Sequence, residues 1–116
     1  MQIANNSKPD IAISIQQNFF SDDAIGGTET FYYPGDAEGK KISEYIHGKL
    51  TAALMLKDMG AKPADLYVLR ETNSPSVMLN IACLSNPEEE RLLSEPQFRQ
   101  KAAKAIVDGI KNYYHD

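Results

Sequence analysis

Apolar and polar positions alternate along this chain in short, distinct blocks. Ile11-Ala12-Ile13-Ser14-Ile15 is a nearly continuous β-branched run and reads as a strand covered on both faces. After the Gly26-Gly27 turn, Thr28 to Tyr33 alternates in the manner of a strand with one wetter face. Pro34-Gly35-Asp36 stops that strand, with Asp36 placed to cap a helix. Ile42, Tyr45, Ile46, Leu50, Ala53 and Leu54 then recur at helical spacing, and Gly60 is suited to end that helix. Leu66-Tyr67-Val68-Leu69 and Ser76 to Ile81 are predicted as two further strands around a polar turn at Asn73-Ser74-Pro75.

Two helix starts follow. Asn86 can cap, Pro87 suits the first helical position, and Glu89 can complete a capping box. Ser94-Glu95-Pro96-Gln97 repeats the device for a last helix whose stripe is Phe98, Ala102, Ala105, Ile106, Ile110 and Tyr113. Ahead of the first strand, Ile3 to Asn6 could form the last turn of a helix, which Lys8-Pro9-Asp10 breaks. Helices separating short buried strands predict an α/β fold. We expect a truncated, largely parallel or mixed sheet of about four strands flanked by helices. No linker or repeat divides residues 1–116, so a single domain is expected.

Composition narrows the function classes. Hydrophobic residues make up 42% and charged residues 24% of the 116 positions, as in ordinary globular domains. A net charge of −4 gives no electrostatic basis for binding nucleic acid or an anionic membrane. No apolar run has the length of a membrane span, and the first residues lack the pattern of a signal peptide. Cys83 is the only cysteine and excludes an internal disulfide.

Candidate chemistry is sparse. His47, His115 and Cys83 are the only soft metal donors. Both histidines read as solvated surface residues, and Cys83 as a small buried hydrophobe. No pattern brings a histidine to Ser85 or Cys83 as a base. Glu88-Glu89-Glu90 reads as negative charge at a helix N-terminus, not as a cation site. Phe31-Tyr32-Tyr33 could stack on a sugar, but strand spacing favours core plus one exposed ring.

Several segments carry a family resemblance. Asp10-Ile-Ala-Ile-Ser-Ile-Gln-Gln-Asn18 is similar to a strand ending Ser-Ile-His-Ala-Asn in the zinc-dependent N-acetylmuramoyl-L-alanine amidases. Gly27-Thr-Glu-Thr-Phe-Tyr-Tyr33 resembles the strand after it, and Leu56-Lys-Asp-Met-Gly-Ala-Lys62 the turn Leu-Lys-Asp-Arg-Gly-Val-Lys. Leu66-Tyr-Val-Leu-Arg70, followed by Pro75-Ser-Val-Met-Leu-Asn-Ile-Ala-Cys-Leu-Ser-Asn86, resembles Tyr-Val-Leu-Arg followed by Pro-Ala-Val-Leu-Val-Glu-Xaa-Gly-Phe-Leu-Ser-Asn. The likeness covers nearly all of this chain and about the C-terminal half to two thirds of a family domain. A first strand with a Gly-His-Gly turn and a helix bearing a glutamate ligand have no counterpart here.

The resemblance implies an amidase-like three-layer architecture. It also implies the family's chemistry: zinc on two histidines and a glutamate activates water against the amide joining N-acetylmuramic acid to L-alanine, with a second glutamate as base. The third zinc ligand would fall at Gln16 and the catalytic glutamate at Asn80. A carboxamide is a poor zinc donor and cannot act as a general base near neutral pH. Met59 replaces a usual arginine, and Ala82-Cys83 replaces Gly-Phe. The expectation is therefore a catalytically inactive domain without zinc, with Gln16 and Asn80 as degenerate site positions and Asn18 and Arg70 as substrate contacts. Expected partners are a peptidoglycan fragment or cell-wall protein, together with a second copy or a strand-complementing chain at an uncovered sheet edge. The alternatives are half of a zinc amidase completed by another segment or chain, and a folding fragment without a ligand. Family members are exported to the bacterial wall or periplasm.

Overall fold

The structure, a computed structural model, describes residues 11–71 and 74–115. It contains four strands, β1 (Ala12–Asn18), β2 (Thr28–Tyr32), β3 (Asp58–Pro63) and β4 (Ser76–Cys83). Its helices are α1 (Ala37–Leu54), α2 (Tyr67–Arg70), α3 (Pro87–Leu93) and α4 (Pro96–His115). The strands form one mixed sheet in the order β1-β4-β2-β3. β1 runs parallel to β4 and β2 parallel to β3, while β2 and β4 are antiparallel.

β4 is the spine, and every residue from Ser76 to Cys83 is buried. Its alternation sends Val77, Leu79 and Ile81 to one side. There they meet Ile42, Ile46, Leu50 and Leu54 of α1 and Phe98, Ala102, Ala105 and Ile106 of α4 in a single cluster. The two long helices thus share one face of the sheet and pack on each other. Their axes approach closely at Gly109, where an added Cβ would sit 2.7 Å from the Ile46 Cα. The Tyr113 hydroxyl donates to Glu38 and fastens the end of α4 to the start of α1.

Local signals set most boundaries. The Asp36 side chain accepts from the Gly39 amide at 2.8 Å and starts α1. Asn86 Oδ1 accepts from the Glu88 and Glu89 amides, both at 3.1 Å, and starts α3.

Four expectations need correction. Leu66 to Leu69 is not a strand: its last three residues belong to the single turn of α2, and the sheet takes Asp58–Pro63 instead. That segment has no apolar alternation to announce it, because it is an edge strand whose hydrogen bonds run only to β2. Gly60 accordingly does not end α1. It has φ +90° inside β3, where Thr28 opposes Asp58 but Thr30 opposes Ala61, so that β3 carries an extra residue as a bulge. α1 ends at Met55, in the left-handed conformation (φ 57°) with its amide on the Thr51 carbonyl at 3.1 Å.

β1, read as covered on both faces, is an edge strand among the described residues. Ile13 and Ile15 lie opposite Val77 and Leu79 and face the helix side, yet α1 and α4 do not reach Ile15, which is 56% exposed. Phe31, Tyr32 and Tyr33 are all half-buried instead of dividing into core and one exposed ring. The expected helix turn at Ile3–Asn6 and break at Lys8–Asp10 lie outside the described residues, as does Asn73 of the turn before β4.

Left-handed backbone costs a non-glycine residue on the order of 1 kcal/mol, and the Met55 side chain is exposed and packs little. Met55→Gly is therefore expected to stabilise the domain by about 0.5–1 kcal/mol, read as a higher midpoint in urea unfolding with an unchanged slope.

Candidate functional site

The parallel pairing of β1 with β4 sets Gln16 beside Asn80, and the antiparallel pairing of β4 with β2 sets Glu29 on the other flank of Asn80. Residues laterally opposed in a sheet share a face, so Gln16, Asn80 and Glu29 form a polar row across three strands. The row lies on the side away from α1 and α4, since Leu79 and Ile81 point to the helices. It sits toward the carboxyl ends of β1 and β4, the end of an α/β sheet where ligands are generally received.

Depth differs along the row. Gln16 is exposed, whereas Asn80 is only 3% exposed and Glu29 is also buried. The Glu29 carboxylate is balanced: Lys62 Nζ donates to Oε2 at 2.9 Å, and Asn18 Nδ2 donates to Oε1 at 3.3 Å. Asn18 can reach Glu29 because the β1–β4 register shifts after Gln16, so that Asn18 lies opposite Cys83. The backbone also ties the loops around the site. The Leu84 amide donates to the Asn18 carbonyl at 2.7 Å, and the Phe20 amide to Ser85 Oγ at 2.8 Å.

Glu89 holds the floor beneath these loops. It does not close a capping box; its side chain turns inward, is 7% exposed, and Oε1 accepts from the Gly27 amide at 3.1 Å and the Cys83 amide at 2.8 Å. One carboxylate thereby joins the start of β2 to the end of β4. Glu88 and Glu90 remain exposed at the helix start, as read from the sequence. Cys83 is a buried small hydrophobe as expected, and burial, reinforced by Glu89 and Glu29, pushes its thiol above the ordinary range.

His47 is a correction. It is not a surface residue: it is 6% exposed on the helix face of the sheet. Its Nδ1 pairs with Thr30 Oγ1 at 2.8 Å and its Nε2 with Asp58 Oδ1 at 2.7 Å. The Asp58 carboxyl is held below its usual range, first by this hydrogen bond and then by the Gly60 amide. The chain Thr30–His47–Asp58 fastens α1 to β2 and the bulged edge of β3. His115 is exposed near the end of α4.

Arg70 is not part of the row. It sits in α2 before the start of β4, where it meets Asp65 at 3.4 Å, Glu71 at 3.6 Å and the ring of Tyr67 at 5.9 Å. Four residues of strand separate Ser76 from Asn80, roughly 13 Å. Of the four residues singled out from the sequence, Gln16, Asn18 and Asn80 are therefore brought together and Arg70 is not. The sequence pattern assigns no site role to Glu29, Lys62 or Glu89. The available signal was Glu29 itself, a carboxylate in the middle of a strand otherwise made of Thr, Phe and Tyr.

Residues 1–112 match the profile of the N-acetylmuramoyl-L-alanine amidases. The chain belongs to that family. An uncharacterised cell wall amidase of Bacillus anthracis is 38% identical over 98% of this chain and 23% of its own length. The germination-specific N-acetylmuramoyl-L-alanine amidase of Bacillus subtilis is 30% identical over 98% of this chain and 48% of its own. Among solved structures, the CwlD amidase of Clostridioides difficile, determined in complex with the GerS lipoprotein, superposes with a TM-score of 0.92 at 32% identity. That match covers 98% of this chain and 59% of the CwlD chain. The chain thus spans about half or less of these curated relatives.

Membership raises the question of zinc, and the residues at the site do not suit it. Zinc selects imidazole, thiolate and carboxylate donors, whereas Gln16 and Asn80 offer carboxamides and Glu29 is engaged by Lys62. Among the described residues no three His, Cys, Asp or Glu side chains converge. Both histidines lie elsewhere: His47 behind the sheet and His115 near the end of α4.

Glu89→Ala should leave two buried amides without an acceptor, a loss of about 2–4 kcal/mol. Glu89→Gln, which keeps an acceptor oxygen, should cost less than half as much. Equal unfolding midpoints for the two variants would contradict the role given to the carboxylate oxygen.

Proposed function

We infer that this chain is an amidase-family domain that binds cell-wall material without cutting it. The observation that carries this reading is the Gln16–Asn80 pair, side by side at the positions where the family resemblance puts a zinc-ligating histidine and the glutamate base. Hydrolysis of an amide by this family needs a metal-bound water and a group to accept its proton. A carboxamide has no proton affinity to offer near neutral pH, and two of them form a neutral, hydrogen-bonding surface instead. Wall binding is supported by the fold and the polar row together: the chain shares the fold of the matched part of a peptidoglycan amidase, and its site offers groups that can hydrogen-bond amides and hydroxyls.

The test is incubation of the purified domain with peptidoglycan, with and without added zinc, while following newly released L-alanine amino groups and bound metal. We expect no release above blank and no stoichiometric zinc, but co-sedimentation with the wall. Zinc-dependent release of L-alanine peptides would overturn the inactive reading.

A second reading is favoured by the open side of the sheet. Beside edge strand β1 lies an apolar groove of about 400 Å³, lined by Ile15, Ile81, Leu84, Leu93, Phe98 and Ile106. Among the described residues no strand lies outside β1, and this edge with its neighbouring apolar groove suits a strand and helix from another polypeptide or from a second copy. A domain so completed could be half of a zinc amidase, though Gln16 and Asn80 would still face the site. The CwlD relative, solved with a lipoprotein bound, is a precedent for a protein partner in the family. Sedimentation velocity at rising concentration should show self-association of the isolated chain; a strictly monomeric species at high concentration would count against self-complementation.

A further inference from the structure

α1 and α4 run antiparallel, since Tyr113 near the end of α4 meets Glu38 at the start of α1. Between them, on the solvent side of the helix layer, lies a trough of about 280 Å³. Lys49 of α1 stands on one wall, and Lys101 and Lys104 of α4 stand on the other. Alanines line it between the lysines, so no bulky side chain fills it. Lys111 extends the α4 wall, because residues 101, 104, 108 and 111 recur at helical spacing and share one flank. Ten residues of helix set Lys101 and Lys111 roughly 15 Å apart along its axis.

The charge of this trough is not balanced from within. All four lysines are exposed. Among the described residues that line it, only Asp108 is acidic, and Lys104 Nζ meets it at 2.8 Å. The Asp108 carboxyl is held below its usual range, first by that hydrogen bond and then by the charges of Lys104, Lys111 and Lys49. One aspartate thus answers lysines from two helices, and Lys49, Lys101 and Lys111 make no ion pair with a described residue. Clustered like charges repel, a cost that a bound anion removes. The chain as a whole carries −4, so this positive field is local, and it lies on the far side of the sheet from the polar row.

The surroundings select the anion. Protein interfaces favour aromatic, Met and Arg side chains and are poor in Lys. The trough offers Lys and Ala beside one Asp, which does not suit a folded partner. Single-stranded nucleic acid is held by stacking its bases on aromatic rings, and no described aromatic ring lines the trough. A broad anionic surface, duplex or bilayer, meets the net negative charge of the rest of the chain. A slender chain of phosphates escapes all three objections. It fits between the helices, and each ammonium is a compact point charge suited to phosphate oxygens.

We propose that the α1–α4 trough is a docking groove for a linear, base-free phosphodiester polymer. Lys49, Lys101, Lys104 and Lys111 hold it through counterion release, and Asp108 moderates its affinity. The groove is separate from the Gln16–Asn80 row and independent of what that row binds.

The test titrates the chain into fluorescently labelled poly(glycerol phosphate) and follows anisotropy over a range of salt concentrations. The logarithm of affinity should fall against the logarithm of salt with a slope of about −2 to −3, as for three or four phosphate contacts. The double variant Lys49→Gln, Lys101→Gln should reduce that slope by about 1.4 and weaken binding at least tenfold at about 50 mM salt. Asp108→Asn removes the competing carboxylate and should tighten binding about threefold. Lys40→Gln, exposed on α1 outside the trough, should leave the slope unchanged.

No binding at low salt, a slope indifferent to the double variant, an equal loss from Lys40→Gln, or weaker binding by Asp108→Asn would overturn the proposal. So would equal or tighter binding of polyglutamate, or of single-stranded DNA of the same charge. Those outcomes would give the groove to a carboxylate chain or to nucleic acid instead.

Discussion

Burial of β4 on both faces and both edges is the constraint from which the rest of this structure follows. A strand enclosed on every side must find a partner for each backbone group, and β4 does so with a parallel neighbour on one flank, an antiparallel neighbour on the other, and the Asp36 and Glu89 carboxylates at its two ends. Its odd-numbered residues form the floor of the helix-side core. Its even-numbered residues carry Asn80 to the opposite face, between side chains from β1 and β2 that could not otherwise meet. The Glu89 carboxylate then fixes the exit of β4 against the entrance of β2, so the geometry of the polar row depends on a residue outside it.

The parts of the fold legible in the sequence are those where burial imposes a period or a cap imposes a residue. The stripe from Phe98 to Tyr113, the apolar run of β4 and the caps at Asp36 and Asn86 are of this kind. β3 was illegible for the complementary reason. Asp58-Met59-Gly60-Ala61-Lys62-Pro63 is an edge strand with a bulge, and neither composition nor alternation distinguishes it from a turn. Leu66 to Leu69 misled in the other direction: a short apolar run fits a strand or a helical turn equally well, and the chain uses it as the latter.

The site divides in the same way. Gln16 and Asn80 could be named from the family resemblance, and their juxtaposition is a matter of register that the structure supplies. Glu29, Lys62 and Glu89 were missed because their roles come from tertiary distance: a lysine 33 residues away from its glutamate, and a helix-start carboxylate turned inward to two amides 62 and 6 positions distant. His47 was misjudged because a polar residue on an amphipathic helix is ordinarily solvated, whereas here a threonine and an aspartate wait for both of its nitrogens.

The two margins of the sheet are unlike. On the β3 side, the bulge at Gly60, a proline that lacks a donor, and the charges of Asp58 and Lys62 all discourage an incoming strand. On the β1 side, among the described residues, the register shifts after Gln16, but the strand carries no proline and no charged side chain. Of the two described margins, only the β3 side combines a bulge, a proline and charges, so resistance to an incoming strand is concentrated at one edge of the sheet.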